Sequence, residues 1–238
     1  MPPTIRPLTS EADYEACLTL QRATWGDDFR ELVPPTILMI AQKAGGIAAG
    51  AFEDNGALVG FVFGLTGIRD GRPMHWSHML AVRADRRDHG IGSLLKRWQA
   101  ERLRVLSVRS MFWTYDPLGA RNAHLNLNHL GAHIVEYVRD MYGTGTRSTT
   151  DAVIGSDRAV VEWKFGSKER RRASGRRKVL RRIPIPVDIQ TLKQADPDRA
   201  RQFRAESREA FETAFTEGLA IIGFERTDDG GAYLVGRP

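Results

Sequence analysis

Cysteine is nearly absent. The single Cys17 among 238 residues excludes an internal disulfide and any metal site built from several thiolates. Long apolar runs are missing too. No stretch of about 18 apolar residues occurs, so no membrane-spanning helix and no membrane partner are expected. The opening MPPTIRPLTSEADYEACL lacks the basic segment and apolar core of a secretory signal, and a cytoplasmic protein is expected. Internal repeats and heptads are absent. So is the Gly-Lys-Ser/Thr of a P-loop.

Charge is present but unevenly spread. The net charge is +6 and the pI is 9.8. Residues 167–182, SKERRRASGRRKVLRR, hold nine Lys or Arg against the single Glu169. The remaining 222 residues are therefore close to neutral, near −2. A solvated linker is the plain reading of such a run. The sharper reading is a contact with an anion, whether a phosphate, an acidic protein or nucleic acid. With a neutral body, nucleic acid is not the expected partner.

The pattern of apolar residues and breakers predicts an α/β fold. TIRPLTS reads as a strand, with Ser10 capping the helix EADYEACLTLQRATW. A second helix is expected in PTILMIAQKAG. Asn55-Gly56 joins two strand-like runs, the strongest short hairpin signal. MHWSHMLAV is a further strand, followed by a charged turn and a helix from about Gly90 to Val105. SMFWTYD is strand-like, LGARNAHLNLNHLG helical, and HIVEYVRDMYG and RAVVEWKF two more strands. IPIPVDI resembles an edge strand, because its prolines cannot donate to a ladder. Pro197 opens a helix carrying Phe203, Phe211 and Phe215, and a terminal hairpin turns at TDDGG. This order predicts a mixed, largely antiparallel central sheet flanked by helices. The expected domains are 1–166, a basic linker 167–182, and a strand–helix–hairpin extension 183–238.

The chemistry-bearing stretch is HMLAVRADRRDHGIGSLLKRW. A helix start leaves about four N–H groups without partners and carries roughly half a positive charge, so it suits a phosphate. Gly90 and Gly92 let the backbone approach a ligand closely. Arg87 adds a cation whose fork matches phosphate oxygens, and Ser93 adds a donor. A Rossmann turn fits less well, because no acidic strand end follows at the required distance.

Leu80-Ala81-Val82, a short charged turn, then Arg87-Asp88-His89-Gly90-Ile91-Gly92 and a helix resembles the signature of the GCN5-related N-acetyltransferase (GNAT) superfamily. Together with the element order, the resemblance covers residues 4 to about 165. It implies that acetyl-CoA or another acyl-CoA sets its diphosphate on Arg87, Asp88, His89, Gly90, Ile91, Gly92 and Ser93, with no metal. It further implies a pantetheine arm paired with backbone groups of Leu80 and Val82, beside a strand that splays away. A backbone N–H near Leu80 would stabilise the oxyanion formed when an amine attacks the thioester, an effect typically worth ~3–4 kcal/mol. Arylalkylamine members carry histidine on the same strand, which makes His78 the expected proton acceptor. A regular pleat puts His75 on the opposite face.

The chain departs from its relatives at the acid. Many members place a tyrosine four residues before the glycine that ends the next helix, and here that position is Leu127. Tyr115 is a candidate stand-in, although a strand tyrosine often only packs, and protonation of the thiolate by solvent is the alternative. Asn122, Asn126 and Asn128 are candidates for orienting water or contacting pantetheine. Asp116, Arg121 and His124 are expected to cluster, with Arg121 suited to a carboxylate of the amine or of a succinyl-type acyl group. The expected activity is an acyl-CoA-dependent N-acyltransferase, acetyl by default, acting on a small amine or amino acid. A protein-lysine acetyltransferase and a non-catalytic CoA-binding module are the alternatives, and a homodimer is compatible with either.

Overall fold

Ser10 starts the first helix by a reciprocal cap. Its hydroxyl accepts the Asp13 amide at 3.1 Å, and the Asp13 carboxylate accepts the Ser10 N–H at 3.3 Å. The same carboxylate grips Arg6 of the first strand at 2.6 and 2.9 Å, fixing where strand ends and helix begins. The computed structural model describes residues 2–143, 154–165, 177–227 and 230–238. They form a mixed α/β fold whose ten strands lie in a larger, mostly antiparallel sheet and a smaller one. The chain divides into two compact units, 1–113 and 114–238. The division falls inside the fifth strand.

In the first unit, β1 (Thr4–Pro7), β2 (Ile47–Phe52), β3 (Leu58–Arg69) and β4 (Arg72–Val82) pair antiparallel in sequence order. The next strand, β5 (Ser110–Tyr115), begins parallel to β4. Helices α1 (Glu11–Trp25) and α2 (Pro35–Lys43) bury Tyr14, Cys17 and Leu38 in one cluster with Phe61, Phe63 and Met79. Helix α3 (Ile91–Val105) packs against β3 at Gly60, where a Cβ would sit 3.2 Å from side-chain atoms of Ile91 and Leu95. Every residue of β2 is buried, which explains its run of small apolar residues.

In the second unit, β6 (His133–Val138) pairs antiparallel with β7 (Arg158–Lys164). A three-stranded sheet follows, with β10 (Gly230–Gly236) between β8 (Arg181–Pro186) and β9 (Ala220–Thr227). The prolines of β8 lie on an edge, where a missing donor costs no ladder bond. The long helix Pro197–Thr216 is capped by the Asp196 side chain. Phe211 is fully buried, with its ring 5.0 Å from those of Tyr137 and Tyr233.

Two boundaries differ from expectation. The edge strand begins at Arg181, within the expected linker, and ends at Pro186. Asp188 then caps a helix, Ile189–Ala195, by accepting from Gln190 N and Thr191 N. Residues 166–176 of the basic region, the Gly/Thr/Ser loop at 144–153 and the tip of the last hairpin at 228–229 lie outside the described residues.

Candidate functional site

The turn between β4 and α3 is built to leave a helix end open. A single 3₁₀ turn, Ala84–Arg86, follows β4. Asp88 then takes φ +66°, a sparsely populated conformation for a side chain larger than glycine, and Gly90 takes φ +76°. Gly90 is the N-cap of α3 and has no side chain to cap with, and the first helical bond runs from Leu94 N to Gly90 O at 3.0 Å. The N–H groups of Ile91, Gly92 and Ser93 thus have no intrahelical partner and no side-chain cap.

Gly92 is not demanded by packing. A Cβ there would meet Leu80 Cδ2 at 3.5 Å and Val82 Cγ2 at 4.0 Å, ordinary contacts. Arg87 donates through Nε to Val82 O at 3.2 Å, and no carboxylate pairs with it among the described residues. Its neighbours Arg83 and Arg86 are instead paired with Glu53 and, for Arg83, Asp85. His89 Nδ1 lies 2.7 Å from Arg87 O, holding the turn together.

Beside this turn, β4 runs short of partners. Its parallel pairing with β5 is registered only at His75–Met111 and Trp76–Phe112. From Ser77 onward, β4 keeps its antiparallel partner β3, with Leu80 opposite Val62 and Val82 opposite Gly60. Among the described residues no register partner occupies its other edge. A bulge lies at the same place, because β4 carries one extra residue between Trp76 and Met79 opposite Phe63–Leu65. Backbone donors and acceptors along one strand edge therefore lead to an uncapped helix end.

No family model matches the sequence, and no curated protein does. Solved structures match instead. The NatC complex bound to Gag peptide and CoA superposes with a TM-score of 0.55 at 13% identity, covering 70% of this chain and 100% of that one. A GNAT superfamily phosphinothricin acetyltransferase from Sinorhizobium meliloti in complex with AcCoA gives 0.53 at 16% identity, over 70% and 90%. The ribosomal-protein-S18-alanine N-acetyltransferase from Escherichia coli gives 0.51 at 15%, over 71% and 98%. The fold is the GNAT fold.

On this GNAT scaffold the two histidines of β4 occupy different surroundings. His78 is exposed at one edge but lies edge-on to Phe63, ring centroids 6.2 Å apart. Burial lowers its pKa below the usual value, and the Glu31 carboxylate, in the α1–α2 connection, partly offsets that. The ring is thus mostly neutral at pH 7. His75 is fully buried, with Nε2 2.9 Å from Gln99 Nε2 and Nδ1 2.9 Å from Thr66 Oγ1. Thr66 Oγ1 donates to Gly45 O at 2.7 Å, so His75 donates from Nδ1 and accepts at Nε2.

Burial first, and nearby Lys96 second, pull the His75 pKa down to about 3. The unfolded chain binds this proton at about 6.5, so stability from a neutral His75 is complete above that pH and falls towards pH 3. Urea unfolding across this range should therefore show His75→Gln losing less stability on acidification than the wild type.

The remaining sequence candidates lie in the second unit. Tyr233 Oη is 2.7 Å from Pro117 O and 3.2 Å from Tyr115 Oη. Tyr233 has one proton, and the shorter contact takes it, leaving Tyr115 to donate to Tyr233. Burial pushes the Tyr115 phenol far above its ordinary range, so it holds its proton tightly. The partners of Asp116 and His124 differ. Asp116 accepts from Arg204 Nη2 at 2.7 Å, while His124 meets Asn128 at 2.9 Å and His129 at 3.0 Å. Asn128 also donates to Phe224 O. Asn126 is buried, Asn122 is exposed beside Gly119, and Leu127 is half-buried in a π-helical turn, His124–His129.

Sequence reasoning missed Arg204, Tyr233 and the buried group around Lys96. Lys96 and Gln99 stand on the apolar face of α3 with Leu95, Ala100 and Leu103, a signal that periodicity alone offered. No group of three metal-ligating side chains occurs among the described residues, and no described helix is long and apolar enough to cross a membrane.

Proposed function

We propose that the chain is an acyl-CoA-dependent N-acyltransferase, acetyl by default, in which a primary amine attacks the thioester directly. The observation carrying this reading is the uncapped start of α3, framed by Gly90 and Gly92, at the end of a strand whose neighbouring edge is unpaired. Two of the structures sharing the fold are complexes with CoA or AcCoA. The diphosphate rests on the N–H groups of Ile91, Gly92 and Ser93, with Arg87 gripping its oxygens and Asp88 and His89 shaping the turn. Leu80 and Val82 offer backbone partners to the pantetheine arm. The N–H near Leu80 supports the oxyanion.

His78 accepts the proton of the incoming amine. The Glu31 carboxylate nearby attracts the ammonium form, which favours small cationic amines over neutral or acidic ones. Because His78 titrates below ~6.5, activity should hold through pH 7 and fall only under more acid conditions. His78→Gln is expected to reduce kcat about 100-fold and to erase that acid limb.

Calorimetry with acetyl-CoA, followed by thiol release with a panel of primary amines, tests the whole reading. Acetyl-CoA that binds and releases thiol fastest with diamines or amino-acid amides supports it. Folded protein that takes up no acetyl-CoA overturns it, and binding without thiol release leaves a CoA-binding module.

A further inference from the structure

Lys96 is buried without an anion. Its Nζ donates to Ser77 Oγ at 2.8 Å and lies 3.9 Å from the centre of the Trp113 ring. The residue is 4% exposed, and no carboxylate pairs with it among the described residues. Ser77 in turn donates to Gln99 Oε1 at 2.8 Å, and Gln99 donates to His75. The hydrogen bonds therefore run one way, from Lys96 through Ser77, Gln99, His75 and Thr66 to the carbonyl of Gly45. Lys96, at the head of the chain, has N–H capacity left over.

The groups facing Lys96 are few. They are Ser77 and His75 on β4, Trp113 on β5, and Gln99 on its own helix. His75, the one titratable group among them, is neutral. Burial with nothing to offset it drives Lys96 well below the ordinary lysine range. A buried amine in this state holds a proton only when a negative charge comes beside it.

Its position says where that charge arises. Ser77 and Trp113 are the residues immediately after the last registered pair, Trp76 with Phe112. Lys96 touches both strands at the point where their pairing ends. A pantetheine arm lying beside Val82 and Leu80 points along β4 towards Ser77, five residues or ~17 Å from Val82 at ~3.3 Å per residue.

We propose that Lys96, held in place by Ser77, is the charge partner of the coenzyme A sulfur, favouring the thiolate as the C–S bond breaks and returning a proton to it. The inference rests on the acyl-transfer reading above. In balance, the amine nitrogen bonds to the acyl carbon and its proton leaves through His78 to solvent, while the C–S electron pair stays on sulfur and Lys96, protonated from solvent as the thiolate forms, passes a proton to it. The sulfur supplies, as the transition state forms, the anion that Lys96 lacks in the protein. Leu127 has no proton to give, and that of Tyr115 is committed to Tyr233.

The test reads the thiol rather than turnover. CoA, with desulfo-CoA as the blank, is added to wild type, Lys96→Met and Ser77→Ala, and thiolate ultraviolet absorption is followed across pH. Bound to wild type, the thiol is expected to titrate about one unit or more below an ordinary thiol's ~8.5. Both variants should lose most of that shift while still binding CoA. A CoA-binding variant whose thiol titrates as in wild type overturns the proposal. Wild type that binds no CoA overturns the acyl-transfer reading, and this with it. Lys96→Met replaces a buried amine that no carboxylate pairs with by an apolar side chain of similar length and is expected to fold. Should it not, Ser77→Ala decides alone.

Discussion

Gly92→Glu is expected to raise the Kd for CoA at least 100-fold while leaving the protein as stable as wild type or slightly more so. The residue is the second of α3, on an open helix start. A carboxylate there meets the positive end of the helix dipole and stabilises the fold by about 0.3–1 kcal/mol. Its Cβ finds only ordinary contacts at Leu80 and Val82, so the backbone has no reason to move. The same carboxylate occupies the N–H groups proposed for the diphosphate and repels it. A 100-fold loss is about 2.7 kcal/mol, well above the structural effect and opposite in sign. That opposition makes the substitution informative. Gly90→Ala would be a poorer probe, because φ +76° strains any side chain and affinity would fall together with stability. Calorimetry and thermal melts on Gly92→Glu separate the two. A variant that binds CoA like wild type would remove the diphosphate from this turn.

The sequence was most legible where one short segment decides the outcome. Ser10 and Asp13 cap each other across three residues, Asn55-Gly56 turns a hairpin, and Pro197 opens a helix, each by chemistry that neighbours supply. Gly90 and Gly92 belong to the same class, since an uncapped helix start is a local property. Asp188 was as local but was overlooked, because the prolines before it read as a continuing strand. What could not be read were contacts closed by the fold. Asp116 was expected to meet Arg121 and His124, a few residues on, yet its partner Arg204 is 88 positions away. Likewise, periodicity sets Lys96 on the apolar face of α3, but its contacts with Ser77 and Trp113 are closed only by the fold. Tyr115 was expected to offer a proton, and only the burial of Tyr233 against it shows that proton to be held.

Asp116→Ala is expected to be the most destabilising single change to the polar interior of the second unit, at about 3–5 kcal/mol. It strands Arg204, whose side chain is 4% exposed, without its carboxylate. At roughly 2–4 °C per kcal/mol for a chain of this size, the melting temperature should fall by about 10 °C. Arg204→Met should cost less. Asp116 is more accessible, keeps the Leu118 N–H at 3.0 Å, and has Arg158 and Lys193 nearby. Burial alone would raise the Asp116 pKa, but these cations, Arg204 foremost, hold it below the usual range. Arg204 is itself poorly satisfied, with Nη1 lacking a hydrogen-bond partner and Nε reaching Ile154 O only at 3.3 Å. An ion pair of that quality returns little beyond its own desolvation, so Asp116→Ala combined with Arg204→Met should recover much of the loss. Urea unfolding of the two single variants and the double closes the cycle. A double variant as unstable as the sum of the singles would mean that Asp116 and Arg204 act separately, and that something other than this pair ties the end of β5 to the C-terminal helix.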